Sequence, residues 1–218
     1  MTSPTMAPPG DLFHLLDWKR SMFALYAMVR GHENPGEAWS LWREGRAALF
    51  SQHPQSPVPP ARRSEVALEY LDYDPGLRLL ADIRVVEGRH YDIATSGDLS
   101  YGFTHFASAE FGLEGRDLSL ELYWLDGYGG GLLLPFRDTT SGRSTYGAGR
   151  YLLDTVKGAD LGMSGGRIVL DFNFAYNPSC VYDPAWVCPL APPANRMPVS
   201  ITGGEQLPSG GPSPEQDL

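Results

Sequence analysis

Residues 117–136 read DLSLELYWLDGYGGGLLLPF, and this stretch decides the fold. Leu118, Leu120, Leu122 and Trp124 alternate with Asp117, Ser119, Glu121 and Tyr123. Side chains on a strand point to opposite faces in turn, so the pattern predicts a half-buried antiparallel strand. Asp126-Gly127 supplies a turn, and Gly131 to Phe136 returns as the partner strand.

The same period of two extends outward. Leu77, Leu79, Ala81, Ile83 and Val85 alternate with Arg78, Leu80, Asp82, Arg84 and Val86. Ile168, Leu170, Phe172 and Phe174 alternate with Val169, Asp171, Asn173 and Ala175. Weaker strand signals lie at 88–94, 101–106 and 145–153. That makes about seven closely spaced strands with no helical pattern between them. The expected class is mostly β, an antiparallel barrel or sandwich rather than a βαβ fold.

The first 52 residues differ. Asp11 to Arg30 places Leu12, Leu15, Leu16, Met22, Phe23, Tyr26 and Val29 at helical spacing, with Gly31 as a stop. A second helix starts at Asn34-Pro35, with Glu37 three residues after the cap. Its apolar stripe reads Ala38, Leu41, Trp42, Gly45, Ala48 and Leu49, leaving Glu37, Arg43, Glu44 and Arg46 off it. His53-Pro54 ends it. The two helices form an annex, 11–52, packed on a β domain, 66–206, within one domain spanning 11–206. The segments 1–10 and 207–218 have the composition of disordered tails.

The chain has 218 residues and a net charge of −9. That balance argues against nucleic acid or an anionic membrane as partner, since both reward clustered Lys and Arg. Met1 to Gly10 lacks the basic residues and apolar core of a leader, so a cytoplasmic location is expected. No cofactor motif occurs: the glycines at 127–131 lack the following Lys-Ser or Lys-Thr of a phosphate loop. Oligomeric state is open.

The C-terminal half has its own texture. Residues 134–153 read LPFRDTTSGRSTYGAGRYLL, and residues 168–205 read IVLDFNFAYNPSCVYDPAWVCPLAPPANRMPVSITGGE. The TSG, TYGAGR, DFN, AYNP, CPL, PP and NRMPV phrases in this order resemble the bacterial and archaeal domain-of-unknown-function family 1684. The resemblance is close over 134–205. Ser179 and Trp186 stand where other members often differ. The N-terminal half, with HPQSP at 53–57, resembles a shorter actinobacterial branch. The resemblance implies no reaction, cofactor or catalytic set.

Two glycines in the TYGAGR phrase predict a bulge, or a close approach by backbone or ligand. Arg150 in such a small-residue strand can grip a carboxylate or phosphate bidentately, or pair with Asp138 or Asp171 as a buried structural ion pair. Asp171 and Asn173 share a strand face, where they line a pocket mouth or anchor the following loop. That loop, 176–198, carries six prolines: Pro178, Pro184, Pro189, Pro192, Pro193 and Pro198. It is either functional or a rigid strap.

Cys180 and Cys188, inside the loop, have three readings. A disulfide would close a nine-residue ring contributing roughly 2–3 kcal/mol. A metal site would need two further ligands, and no His lies nearby in sequence. Buried thiols would pack as small hydrophobes. No metal or cofactor site is expected. His105 reads as a satisfied core histidine, and His53 as a candidate for a pocket rim.

These residues give one leading expectation and two alternatives. The first is a polar pocket between the 137–150 hairpin and the 176–198 loop, holding a small anionic metabolite. Arg137, Thr145, Tyr146, Arg150, Asp171, Asn173, Tyr176 and Asn177 would line it. The second is an enzyme, hydrolase- or lyase-like, in the same pocket, with Asp171 as general base and Arg150 stabilising negative charge. The third is an interaction protein using the N-terminal helices.

Overall fold

The structure is a computed structural model and describes residues 9–98 and 100–209. Two helices lead, α1 (Pro9–Gly31) and α2 (Pro35–Gln52). Seven strands follow: β1 (Arg78–Ala94), β2 (Ser100–Leu113), β3 (Arg116–Leu125), β4 (Gly131–Phe136), β5 (Arg150–Asp154), β6 (Met163–Ser164) and β7 (Arg167–Asp171). They form one sheet in the order β5-β4-β3-β2-β1-β7-β6, and every pairing is antiparallel. β5 and β6 are its two edges, so the sheet stays open and the closed barrel among the expectations does not form.

The expected strands 77–86 and 88–94 are one strand. β1 is long enough to serve two partners, with Arg78–Ala81 on β7 and Asp82–Ala94 on β2. Its pairing slips between Val85 and Arg89. A second slip lies in β2 between His105 and Ala107, opposite Tyr123 and Leu122. An extra residue on one strand turns the local face. On β3, beside that slip, Leu120, Leu122 and Tyr123 are buried, and Trp124, expected inside, is 46% exposed. Ile83 and Val85 are likewise exposed.

Two strands end sooner than their alternation suggests. β7 stops at Asp171, whose carboxylate caps a 3-10 turn at Phe172–Phe174 by accepting the Asn173 N–H. Phe172, Asn173 and Phe174 are then all buried. β5 starts at Arg150, because Gly149 has φ +105 and 145–149 is a turn.

α2 starts as its sequence predicts: Asn34 Oδ1 accepts the N–H groups of Gly36 and Glu37. Its buried face is Ala38, Trp39, Trp42, Arg46 and Phe50. Arg46 thus lies inside and Leu41 outside, a rotation of the expected stripe. Trp39 Nε1 donates to the Asn173 carbonyl at 2.9 Å, and Trp42 meets Phe174 edge-on at 5.1 Å. These contacts seat α2 on the turn after β7. Met22 and Tyr26 of α1 are buried, whereas Leu12, Phe13, Leu16 and Phe23 are exposed.

Pro9 and Gly10, expected in a tail, belong to α1. Leu207 donates its N–H to Ser144, and Ser209 bridges Ala67, so the expected C-terminal tail starts later. The rest of both expected tails lies outside the described residues. Among the described residues, no helix is long and apolar enough to cross a membrane.

Candidate functional site

The residues expected to line a pocket are mostly ties in the fold. Arg150 is buried, and its Nη2 lies 2.8 Å from Asp138 Oδ2. It also donates to the carbonyls of Gly203, Glu205 and Ile201 at 2.6, 3.3 and 3.2 Å. Both of its terminal nitrogens are engaged, tying β5 to Asp138 and to the C-terminal segment, so its structural ion-pair reading is the one the geometry supports. Asn173 grips Asp74 twice, accepting its N–H and donating to its carbonyl, both at 2.8 Å. Asn177 donates its side-chain amide to the Gln206 carbonyl at 2.7 Å. Tyr176 exchanges two backbone hydrogen bonds with Tyr151. Thr145 is buried with its hydroxyl 2.9 Å from that of Thr140, and Tyr146 packs in a small core with Phe50, Val58 and Tyr182. Arg137 pairs its backbone with Arg196 in a parallel bridge, and burial beside that second cation lowers its pKa. Among the described residues, neither cavity set out below gathers this group, and Asp171 alone of it lines one.

Sequence reading missed two anchors. Glu205 is fully buried and takes hydrogen bonds from Arg46 Nη2, from the Asn177 N–H and from the Tyr182 hydroxyl. Asn195 accepts the Glu121 N–H and donates to the carbonyls of Glu121 and Pro135. It acts as a rung where β3 and β4 no longer pair. The signal for both was a polar residue in a proline-rich segment, where backbone groups need side-chain partners.

Two well-formed cavities lie among the described residues. The larger encloses about 400 Å³ between α1, the sheet and the proline-rich loop. Leu15 and Trp18 of α1 form one wall. Phe103, Leu133 and Tyr151 of the sheet form a second, and Trp186 and Cys188 of the loop close a third. Gln55 and Pro57 also line it, whereas neighbouring His53 bonds Asp17 of α1 at 3.3 Å instead. His105 is half-buried between Glu121 and Ser108, as a satisfied histidine.

The polar side of this cavity is small and concentrated. Lys157 follows β5 on a 3-10 turn, and its Nζ lies 3.6 Å from Asp154 Oδ2. Half of the Lys157 side chain is exposed. Burial is the largest influence and works against its charge, but Asp154 and the two cysteines together outweigh it and raise the pKa. Lys19 of α1 lines the same space. Both cysteines are free thiols. Cys188 Sγ accepts the Cys180 backbone N–H at 3.4 Å. The thiol pKa of Cys188 falls below the ordinary range, chiefly through a hydrogen bond from the Cys180 thiol. Burial opposes that fall; Lys157 and the N–H groups of Cys180 and Ser179 support it. The Cys180 thiol is pushed up by the same bond and by burial. Among the described residues, no cluster of His, Cys, Asp and Glu could hold a metal.

The smaller cavity, about 280 Å³, is polar and includes Asp171, Arg30, His32 and Arg78. Burial pushes the Asp171 carboxyl up to about 6, against hydrogen bonds from Asn173 and the charge of Arg78. The arginines here are already engaged, Arg30 with Asp160 at 3.5 Å and Arg78 with Asp171 at 3.9 Å.

The molecule is thus an open antiparallel sheet carrying a helix pair and a proline-rich strap, with an apolar cavity beneath the strap. Residues 66–206 match the family described as "Protein of unknown function (DUF1684)", and the chain belongs to that family. A similar solved structure is the solution NMR structure of an uncharacterised protein from Haloarcula marismortui. It is 36% identical, covers 75% of this chain and 89% of its own, and superposes with a TM-score of 0.56. No curated protein matches the chain.

Proposed function

We propose that the protein binds a small amphipathic carboxylate or similar anion in the cavity beneath the strap. The observation carrying this reading is the pairing of an apolar, aromatic-lined cavity of about 400 Å³ with two lysines, Lys19 and Lys157. Ligand cavities are typically apolar, with a few polar groups that orient the ligand. The apolar part would lie on Trp18, Phe103 and Leu133, and the anion would displace Asp154 from Lys157. The anion expected from the sequence is kept; the site moves from the 137–150 hairpin to the other side of the strap. The smaller cavity fits this role less well, because its arginines already hold carboxylates.

Titration with medium-chain carboxylates, followed by amide NMR shifts, tests this. Saturable shifts at Phe103, Leu133 and Val187 are expected, with roughly tenfold weaker binding for Lys157→Gln, about 1.4 kcal/mol. An alcohol of equal chain length should bind the wild type as weakly as the acid binds the variant. Absence of saturable shifts at these residues overturns the reading.

A second reading, self-association through α1, rests on its exposed apolar residues, Phe13 at 72% above all. Sedimentation should then show a dimer that Phe13→Ser dissociates; a monomeric wild type rejects it.

A further inference from the structure

We infer that Cys180 and Cys188 form a dithiol pair that exchanges with small organic disulfides entering the cavity, Cys188 attacking and Cys180 resolving. Four features of the geometry support this. First, Cys188 lies in the wall of the cavity, with 2% of the residue exposed. Second, its sulfur accepts a backbone N–H and faces the field of Lys157, both of which favour thiolate over thiol. Third, the Cys180 N–H on the Cys188 sulfur puts the two cysteines side by side, and Cys180 holds the more basic sulfur. That asymmetry separates the thiol that attacks from the one that waits. Fourth, the Cys188 backbone is clamped: its N–H bonds the Ser96 hydroxyl at 3.1 Å, and its carbonyl accepts the Ser96 N–H at 2.9 Å. Cys180 sits on a short turn at Ser179–Val181, its N–H on the Cys188 sulfur and its own sulfur 3.8 Å from the Tyr146 hydroxyl.

The reaction balances. The Cys188 thiolate attacks one sulfur of a disulfide RSSR; that S–S bond breaks, and the departing RS⁻ takes a proton. A mixed disulfide now joins Cys188 to SR. Cys180 gives up its proton to water and attacks the Cys188 sulfur, expelling a second RS⁻, which is protonated in turn. The protein loses two electrons and two protons, and RSSR becomes two RSH. The resulting bond would close a nine-residue ring within the strap, on the wall of the cavity.

This inference goes beyond ligand binding and is read without a carboxylate, so each can fail separately. Reduced full-length protein is incubated with hydroxyethyl disulfide, quenched in acid and mapped by mass spectrometry. Wild type should accumulate the Cys180–Cys188 bond with little adduct. Cys180→Ser should stop at a mixed disulfide on Cys188, and Cys188→Ser should react at least tenfold more slowly. Lys157→Gln should slow the Cys180→Ser adduct severalfold and move its pH profile upward, which a merely structural thiol would not do. The idea is overturned if Cys180→Ser stays unmodified while its unfolded form reacts, or if Cys180 reacts as fast as Cys188. Alanine variants at both positions give the same readout should a serine impair folding.

Discussion

Arg46 Nη2 lies 2.9 Å from Glu205 Oε2, with 2% and 0% of the two side chains exposed. This pair joins α2 to the C-terminal segment of the β domain. Arg46 is also flanked by Trp42, Phe50 and Tyr176, whose rings lie 4.6–5.1 Å from its guanidinium carbon. Removing one member of a buried pair strands the other charge, at about 3–5 kcal/mol. Glu205→Ala should therefore lose about that much in urea unfolding at neutral pH. Arg46→Met with Glu205→Leu should lose less than the two single variants added together. Strict additivity would show that the pair is not coupled.

Arg150 makes four hydrogen bonds, one of them to Asp138. A lysine is a point charge and cannot reproduce that planar fork. Arg150→Lys should destabilise by about 2–4 kcal/mol, from two or more stranded acceptors. Binding in the cavity should be unchanged in the folded fraction, as measured by the carboxylate titration. Loss of binding without loss of stability would return Arg150 to the site.

Asp171 titrates near 6 in the folded protein against 3.8 ordinarily, because burial disfavours its charge. The native state therefore holds this proton more tightly than the unfolded chain does. Its contribution is most favourable below the unfolded value and declines as pH rises through the folded one, by on the order of 2–3 kcal/mol. Asp171→Asn keeps an oxygen for the Asn173 donors and removes the titration. Subtracting its stability profile from that of wild type should leave a curve falling between about pH 4 and 6. A difference that rises with pH would mean that Arg78 makes ionisation favourable.

Gly149 sits at φ +105, and a Cβ there would lie 2.5 Å from the Phe136 carbonyl oxygen. Both the torsion and the clash oppose any side chain. Gly149→Ala should cost at least about 1–3 kcal/mol by thermal or urea unfolding. A neutral result would mean that the turn before β5 relaxes.

Much of the fold is legible in the sequence because its signals are local. The Asp117–Trp124 alternation, the Asp126-Gly127 turn and the Asn34-Pro35 cap all depend on neighbours within a few residues. The reading failed at Trp124, beside the slip between His105 and Ala107: the residue keeps its place in the alternation but is exposed, and periodicity does not show where the cover over a face ends. It failed at Phe172–Phe174 for a related reason, since Asp171 caps a turn that apolar spacing alone reads as strand. The close backbone approach predicted from the TYGAGR glycines is present at Gly149.

The site divides the same way. By itself the sequence determined an open-ended count of antiparallel strands, two leading helices, and a proline-rich segment that only side-chain ties could hold in place. Only the tertiary structure decided what those ties were. Arg46 looked like a solvated helix residue because its partner, Glu205, lies 159 residues away. The Arg150–Asp138 pair was among the sequence's own readings, but the carbonyls that complete its grip belong to a segment more than 50 residues on. The cavity drew its walls from α1, four strands and the strap, so no window of sequence held it. Period and propensity record which side of an element is apolar; which distant surface meets that side is settled by packing, and packing placed Lys157 and Cys188 on the walls of one cavity.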